Sequence, residues 1–404
     1  MDKTRRLNGG EALGAIGPRR AASSLHAPRG GEPLHPKGRT AIRRGRAGIQ
    51  IRAYVSDAVD SPAVAWEDDF DERYVAGRLL GKGSFGEVFL ATDRHTGQEV
   101  AVKDMRAKRG RLTTERTLQK ITNEVVVMRA VQAAHAMVRL LGTFKQGDRY
   151  RIVMEHCGGG DLKYHLKAGG PFSELQAALV AYEILEVIRA CHDRNIVHGD
   201  VKTANFVLKS SRINPFGRGK GPRVLENGWM KAIDFGCSQF VDDSTRMRSR
   251  VGTPVFMSPE VFERNYSFES DLWSLGVLLY QLLSNRFPFW SPAEAGSVST
   301  VHDVIEAVNS REPDFGYGPW QHISTDALDF LTGLLDKNYR TRMSAEDALG
   351  HQWIARHIRR DSQGALMLSN IVPLGTVGAE STAKTATTAA PDLLVPTGAV
   401  IVPA

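Results

Sequence analysis

The stretch His198-Gly-Asp-Val-Lys-Thr-Ala-Asn205 decides how this chain is interpreted. Other short patterns accompany it in a fixed order. They are, from the N-terminus, Gly81-Lys-Gly-Ser-Phe-Gly-Glu-Val88, Ala101-Val-Lys103, Glu124, Asp234-Phe-Gly236, Gly252-Thr253, Ser258-Pro-Glu260 and Asp271-Leu-Trp-Ser-Leu-Gly276. Any one alone is weak, because a lone glycine-rich loop also suits a dinucleotide turn or a flexible loop. The complete ordered set is very improbable by chance.

The ordered set resembles the protein kinase family, from about Tyr74 to about Ile354. The resemblance implies an α+β fold of two lobes, a small antiparallel β lobe with one main helix and a larger, mainly α-helical lobe. The predicted organisation is a disordered basic tail over 1–53, a linker over 54–73, a small lobe over 74–155, a large lobe over 156–356 and a disordered tail over 357–404.

Charge is unevenly distributed along the 404 residues. Residues 1–53 hold twelve Lys/Arg and three Asp/Glu, so that this tail carries +9 while the whole chain carries +7. The remaining residues therefore carry −2, which argues against a nucleic-acid surface on the folded part. No uninterrupted apolar run is long enough to predict a membrane span.

The acid-poor, Arg- and Ser-containing N-terminus is typical of an organelle transit peptide. Ile51-Arg-Ala53 resembles a plastid cleavage context, which predicts a plastid (chloroplast) location. An uncleaved basic arm on a cytoplasmic or nuclear protein is the alternative. The three cysteines, Cys157, Cys191 and Cys237, have no zinc spacing and indicate reduced thiols packed in the fold.

The small lobe is expected to hold ATP. Two strand-like runs joined by glycines indicate a hairpin, in which backbone amides approach phosphate oxygens without a Cβ in the way. The resemblance implies that Lys103 binds the α- and β-phosphates of ATP and forms a salt bridge with Glu124. The residues implied for nucleotide binding are Leu80, Gly81, Lys82, Gly83, Ser84, Phe85, Gly86, Val88, Ala101, Lys103, Glu124, Met154, Glu155, Cys157, Asp161, Val207 and Asp234.

Within that set, Met154 is the expected gatekeeper, and the backbone of Glu155 and Cys157 is expected to meet the adenine edge. Asp161 occupies the acidic ribose-contact position. It also begins a helix, so that it can act as an N-cap in addition or instead.

The large lobe is expected to carry the chemistry. By resemblance, Asp200 accepts the proton of the attacking hydroxyl and Lys202 stabilises charge on the transferred group. Asn205 and Asp234 are the expected Mg²⁺ ligands. Lys202 is typical of Ser/Thr kinases and Thr253 agrees, so the sequence predicts Ser/Thr phosphorylation of protein substrates.

Two departures from the family pattern stand out. Gly199 replaces the arginine that orders a phosphorylated activation loop in most kinases, so we expect phosphorylation there not to be a strict on-switch. Ser244, Thr245 and Ser249 stay candidate sites, with Arg246, Arg248 and Arg250 as substitute cations. The second departure is a Gly- and Pro-rich insertion over 209–230, interpreted as an extended hairpin loop. It is either passive or a docking segment.

Pro288-Phe-Trp290, Trp320 and Trp353 resemble the calcium/calmodulin-dependent and plant/protist calcium-dependent kinases, although no EF-hand pattern occurs. Ala204 and Gln281 stand where basophilic members carry acids, which predicts weaker selection for arginine in the substrate. Two alternatives remain: a pseudokinase scaffold that binds nucleotide without transfer, and a small-molecule phosphotransferase. The sequence leaves the oligomeric state open.

Overall fold

The computed structural model describes residues 64–83, 86–107, 114–212, 215–216, 224–242, 245–290, 300–360 and 366–368. The basic tail 1–53, the glycine-loop residues Ser84 and Phe85, and residues 369–404 of the C-terminal tail lie outside the described residues. Across the described ranges, no helix combines the length and apolar character needed to cross a membrane.

The small lobe is a five-stranded antiparallel sheet with the order β1-β2-β3-β5-β4. A short helix α1 precedes the sheet and one long helix α2 lies between β3 and β4. The elements are α1 (Phe70–Arg73), β1 (Tyr74–Gly83), β2 (Gly86–Asp93), β3 (Glu99–Arg106), α2 (Thr114–Val131), β4 (Leu140–Gln146) and β5 (Arg149–Glu155).

Alternation along β3 gives the small-lobe sheet two different faces. Val100 and Val102 are buried with Phe70 and Phe144 in an apolar cluster on one face. Residues 101 and 103 point to the other face, where Lys103 meets helix α2. The sequence pattern Val-Ala-Val-Lys therefore places one cation between sheet and helix.

The predicted linker 54–73 is structured from residue 64 onward. Glu67 pairs with β4, since its N–H donates to Thr143 O at 2.9 Å and its carbonyl accepts from Lys145 N at 2.7 Å. Trp66 packs edge-on against Tyr150, with ring centroids 5.0 Å apart. This segment covers the edge strand of the sheet, which the sequence analysis did not predict because it contains no periodic apolar run.

The large lobe is mainly helical. Its elements are α3 (Leu162–Gly169), α4 (Glu174–His192), β6 (Ile196–Val197), β7 (Phe206–Leu208), β8 (Val224–Leu225), β9 (Met230–Ala232), β10 (Gln239–Phe240), α5 (Pro259–Phe262), α6 (Glu269–Ser284), α7 (Val301–Ser310), α8 (Thr325–Leu334), α9 (Ala345–Leu349), α10 (Gln352–His357), β11 (Ile358–Arg360) and β12 (Leu366–Leu368). The predicted two-lobe α+β fold is confirmed.

Helices α4 and α6 form the centre of this lobe. Nearly every side chain of α6 is buried, as expected for a helix that is apolar all round. Helix α4 begins at a capping box in which Ser173 and Gln176 satisfy each other's backbone N–H groups. The short pairs β6–β10 and β7–β9 lie beside these helices and support the loops that carry the site.

The insertion and the C-terminal segment meet in a small sheet of their own. Its order is β11-β12-β8, so strands from beyond residue 357 pair with a strand of the insertion. Leu366 pairs with the fully buried Leu225, and Phe216 of the insertion packs on Phe172 at a centroid distance of 4.4 Å. The prediction of disorder from residue 357 is therefore corrected for 358–360 and 366–368, because their backbone groups are paired. The described parts of the insertion are likewise packed on the lobe.

We predict that a chain ending at His357 is less stable than one ending at Leu368. Losing β11 and β12 exposes part of Leu225, and burial of a leucine side chain is worth about 1.5–3 kcal/mol. Urea unfolding followed by fluorescence measures the difference. Equal midpoints for the two chains would contradict the packing described for this sheet.

Candidate active site

One buried ammonium joins the two lobes. Lys103 Nζ lies 2.5 Å from Glu124 Oε1 on helix α2 and 2.9 Å from Asp234 Oδ1, which precedes Phe235 and Gly236 in the large lobe. Lys103 is only 6% exposed, so the ion pairs replace the water that the charge has lost. The pairing expected between Lys103 and Glu124 is thus present in the structure.

Protonation of these groups follows from their surroundings. Burial alone would lower the pKa of Lys103, but the carboxylates of Asp234 and Glu124 raise it above its ordinary value. Burial likewise would raise the pKa of Asp234, yet the Lys103 ammonium and the Gly236 N–H together lower it to about 2. Lys103 is therefore charged and Asp234 ionised at neutral pH.

A second network surrounds the carboxylate of Asp200. Lys202 Nζ donates to Asp200 Oδ2 at 2.6 Å, and Asn205 Nδ2 donates to Asp200 O at 2.8 Å and to Oδ2 at 3.1 Å. The three side chains predicted to do the chemistry are thus brought together. Because the amide nitrogen of Asn205 points at Asp200, its Oδ1 is the atom that remains for a metal ligand.

Thr253 completes this network and was missing from the predicted site residues. Its Oγ1 donates to Asp200 Oδ1 at 2.9 Å and accepts from Lys202 Nζ at 2.9 Å. The Thr253 hydroxyl therefore holds both the Asp200 carboxylate and the Lys202 ammonium in place from a different loop. The Gly252-Thr253 pattern was the available signal, although from the sequence it indicated only Ser/Thr specificity.

Two glycines allow the loops to come this close. Gly252 has φ +102° and a Cβ there would collide with the carbonyl oxygen of Gly199. Gly199 has φ +76° and its Cβ would lie 2.8 Å from Cys237 O. A side chain at either position would be strained, since both torsions lie where glycine is favoured.

Asp271 of helix α6 holds the backbone of the catalytic loop. Its Oδ2 accepts from His198 N at 2.9 Å and its Oδ1 accepts from Gly199 N at 2.9 Å. His192 Nε2 lies 3.0 Å from Oδ2. Burial opposes the charge, but these hydrogen bonds lower the pKa of Asp271 below its ordinary value. Asp271 therefore has a structural role, which is to hold the catalytic loop in place.

Glu260 and Arg342 form a buried ion pair in the large lobe. Arg342 Nη1 contacts Glu260 Oε1, and Nη2 donates to Glu260 Oε2 at 3.1 Å. The guanidinium also donates to the carbonyls of Asp336 and Glu269, both at 2.9 Å. This buried pair ties the end of the activation segment to the base of the large lobe.

The nucleotide side of the site lies on one face of the small-lobe sheet. The register pairs Val88 with Lys103 and Ala101 with Met154, which places these four side chains on the same face. Leu80 is half-buried where β1 enters the loop and Val207 is buried in β7. Val88, Ala101, Lys103 and Met154 of the predicted nucleotide set therefore share one face of the small-lobe sheet.

The glycines of the glycine-rich turn differ in how much space a side chain would have. A Cβ on Gly86 would collide with Asp104 O, so Gly86 is required by packing. A Cβ on Gly81 would meet no atom of the described residues within 4 Å. Lys82 forms an exposed ion pair with Glu87 at 2.8 Å, and in the structure this side chain is engaged with its own hairpin.

The hinge follows Met154, which is buried as expected for a gatekeeper. Glu155 N donates to Arg139 O at 2.9 Å. Cys157 N makes no such bond to the described backbone, which leaves it as a donor for a ligand. Asp161 caps helix α3 by accepting from Tyr164 N at 2.6 Å, and this N-cap is the role that the structure displays.

The cysteines are thiols in buried surroundings. Burial raises the pKa of Cys157 to about 12 and also raises the pKa of Cys237 and Cys191. A raised pKa suppresses the reactive thiolate. The packing role expected for these residues therefore fits the structure better than redox sensing.

Two of the activation-segment arginines that were expected as substitute cations contact the large lobe in this structure. Arg246 forms an ion pair with Glu269 and donates to Asn265 O. Arg250 donates to Phe262 O at 2.6 Å. Two of the three expected cations are thus already bound to the large lobe, and only Arg248 is exposed.

Comparison with known proteins places this arrangement in context. The family model described as "Protein kinase domain" matches residues 74–354. Calcium-dependent protein kinase 20 of Oryza sativa subsp. japonica is 36% identical over 286 residues, 71% of this chain and 48% of that protein. The rice calcium/calmodulin-dependent serine/threonine-protein kinase 1 is 36% identical over 289 residues, 70% of this chain and 44% of that protein. CDPK-related kinase 7 of Arabidopsis thaliana is 35% identical over 289 residues, 70% and 46% of the two chains. The chain thus spans about half the length of these relatives.

We predict that Asp271→Asn destabilises the protein by about 1–3 kcal/mol, because one buried N–H of the catalytic loop then faces an NH₂ group and loses its acceptor. The difference should shrink as the pH falls below about 4, since a carboxylate with a lowered pKa stabilises only where it is ionised. Denaturant unfolding of wild type and variant at several pH values measures it. Glu306→Gln on the exposed face of α7 is the matched control. A pH-independent difference would contradict the role of the charge.

Proposed function

The chain belongs to the protein kinase family, and from that membership we propose that it transfers the terminal phosphoryl group of ATP to Ser or Thr hydroxyls of protein substrates. The observation that carries the proposal is the pair of networks around Lys103 and Asp200, which together supply phosphate binding, a base and a cation. The relatives' names mention calcium and calmodulin, and those words describe the relatives alone.

Asp200 is the proposed base. Its carboxylate is oriented by Lys202, Thr253 and Asn205, so that it can accept the proton of a substrate hydroxyl as that oxygen attacks. The Lys202 ammonium lies beside the same carboxylate and would stabilise the charge that develops on the transferred group. Both groups are held before substrate arrives, which limits reorganisation during reaction.

ATP would lie under the glycine-rich turn with its phosphates toward Lys103. Among the described residues, nothing lies within 4 Å of a Cβ built on Gly81 and no backbone carbonyl accepts from Cys157 N, which suits a phosphate chain and an adenine edge. Asp234 and Asn205 offer hard oxygen atoms that suit Mg²⁺. The described residues contain no cluster of three or more His, Cys, Asp or Glu side chains that could hold a metal, so these two residues and the nucleotide would share the ion. Bound Mg²⁺ would neutralise phosphate charge.

Substrate selection is proposed to depend little on arginine. Gln281 is buried and accepts from Thr203 Oγ1 at 3.3 Å, so this position beside the catalytic loop presents no carboxylate. Ala204 adds none. We propose a Ser/Thr kinase whose preference for a basic residue before the target is weaker than that of basophilic kinases.

The activation segment is proposed to adopt its active arrangement without phosphate. Arg246 and Arg250 anchor it to the large lobe. Tyr266 contributes too, since its hydroxyl donates to Ser249 O at 2.7 Å and its backbone pairs with Met247. These contacts replace the ordering that a phosphate and an arginine at position 199 would otherwise supply.

We expect Asp200→Asn to lower the rate of phosphate transfer from labelled ATP to a generic Ser/Thr acceptor by about 10²–10⁴-fold, because the base is lost. Binding of a fluorescent ATP analogue should remain. A radiometric transfer assay on both proteins measures the first, and fluorescence titration the second. No transfer by folded wild type that binds ATP would favour the pseudokinase scaffold instead. Equal transfer by the variant would contradict the role of Asp200 as the base.

Thr253→Val should lower kcat about tenfold, since one hydrogen bond to a charged group is worth about 1.5 kcal/mol in the transition state. Thr253→Ser keeps the hydroxyl and should retain most activity. The KM for ATP should change little in either, because Thr253 contacts the catalytic residues rather than the nucleotide side. If valine and serine variants had the same kcat, the bridging role would be wrong.

The triple variant Ser244→Ala, Thr245→Ala, Ser249→Ala should retain activity within about threefold of wild type, because the segment is ordered by carbonyl and carboxylate contacts rather than by phosphate. Arg246→Ala is the informative partner, since it removes an anchor and should lower activity more than the triple variant does. Loss of activity in a folded triple variant would overturn the proposal.

A further inference from the structure

A cavity of about 530 Å³ opens beside the hinge, away from the catalytic residues. Its walls come from the start of β3, the loop between α2 and β4, the hinge, and the insertion with its flanking strands. Representative lining residues are Glu99, His135, Met137, His156, Lys209 and Asn227. The cavity shares Glu155 with the hinge, but Lys103, Asp200 and Asp234 do not line it, so it lies outside the residues proposed for phosphate transfer.

Lys231 fixes the inner wall of this hinge-side cavity. Its Nζ donates to His135 O at 2.6 Å and to Met137 O at 3.2 Å, and lies 3.4 Å from Glu155 Oε1. The same Glu155 oxygen accepts from Arg139 N at 2.8 Å. The hinge, the α2–β4 loop and the large lobe are therefore joined through one side chain, which gives the cavity a defined shape.

The acidic side chains of the cavity already have partners. Glu155 faces Lys231, and Glu99 Oε2 lies 3.3 Å from His156 Nδ1. Two further cations, Arg139 and Lys209, line the same cavity and are exposed. Among the described residues, no acidic side chain forms an ion pair with either. The lining holds three cations, Arg139, Lys209 and Lys231, and two carboxylates, Glu99 and Glu155, so that its net charge is 3 − 2 = +1, which favours an anionic ligand.

The volume and the lining of this cavity favour a peptide over a small ion as its ligand. A volume near 530 Å³ falls in the range of sites that hold an organic ligand or several side chains, about 300–1,000 Å³. Gln98 and Asn227 bring amide side chains to the walls, and Ala134 and Met137 bring apolar atoms. Amides suit a peptide backbone, apolar atoms suit its aliphatic side chains, and the two cations suit its carboxylates.

We propose that this hinge-side cavity docks an acidic peptide segment of a partner protein, with Arg139 and Lys209 as the charged contacts. The site lies outside the transfer chemistry and needs neither ATP nor Asp200. The docked segment would let the protein recognise a partner at a distance from the residue that is phosphorylated. Such recognition would complement a catalytic groove that has Ala204 and Gln281 where basophilic kinases carry acids. Docking is thus independent of the proposed function and can be tested separately.

The test is fluorescence anisotropy with a labelled nonapeptide that repeats Asp-Ala-Glu three times, titrated with the full chain at low salt. The paired variant is Arg139→Glu with Lys209→Glu. The matched control is Arg94→Glu with Lys167→Glu, which makes the same charge change at exposed positions outside the cavity. We expect the cavity variant to bind at least about tenfold more weakly, a change of about 1.4 kcal/mol, and the control to bind nearly as wild type does.

Several results would overturn the proposal. One is that wild type does not bind the peptide. Another is that the cavity variant and the control variant lose affinity equally, or that the cavity variant loses none. Either of these last results would place the peptide elsewhere, such as on the basic residues 1–53. Displacement of the peptide by an equal concentration of inorganic phosphate would indicate a small-anion site instead. The neutral pair Arg139→Gln with Lys209→Gln should lose affinity to an intermediate degree. It keeps the test valid if circular dichroism shows the charge-reversed protein unfolded.

Discussion

The Lys103 ammonium is the constraint on which the rest of the structure depends. It belongs to the small-lobe sheet, yet it is satisfied only when helix α2 brings Glu124 and the large lobe brings Asp234. Removing one partner of a buried ion pair typically costs about 3–5 kcal/mol. The position of α2 and the Asp-Phe-Gly segment are therefore coupled through one charge, and an assembled nucleotide site follows from satisfying it.

The catalytic loop is also held by a buried charge, but here the carboxylate binds backbone N–H groups, and glycines allow the neighbouring loops to pack closely. Asp271 fixes the loop from below through two backbone N–H groups. Gly199 and Gly252 let the activation segment approach closely enough for Thr253 to reach Asp200 and Lys202. The glycine at 199, a departure from the family pattern, thus fits both the close packing of the two loops and the absence of a phosphate-binding arginine.

Much of this arrangement could be predicted from the sequence, because Lys103, Asp200, Asn205 and Asp234 lie in local patterns whose chemistry demands those residue types. The bridge through Thr253 could not be derived, since it depends on loops about 50 residues apart meeting in space. The β11-β12-β8 sheet was also missed, because strands of two or three residues among Gly and Pro leave no periodic signal. The packing of residues 64–69 against the small-lobe sheet was not predicted for the same reason.

The most direct measurement of the central claim is the time course of phosphate transfer by full-length protein that has been treated with phosphatase, with its unphosphorylated state verified by mass spectrometry. If the Lys103 and Asp200 networks are assembled without phosphate, transfer is linear from the first turnover and prior incubation with ATP does not accelerate it. A lag that disappears after preincubation with ATP would contradict this account, since it would mean that autophosphorylation assembles the site.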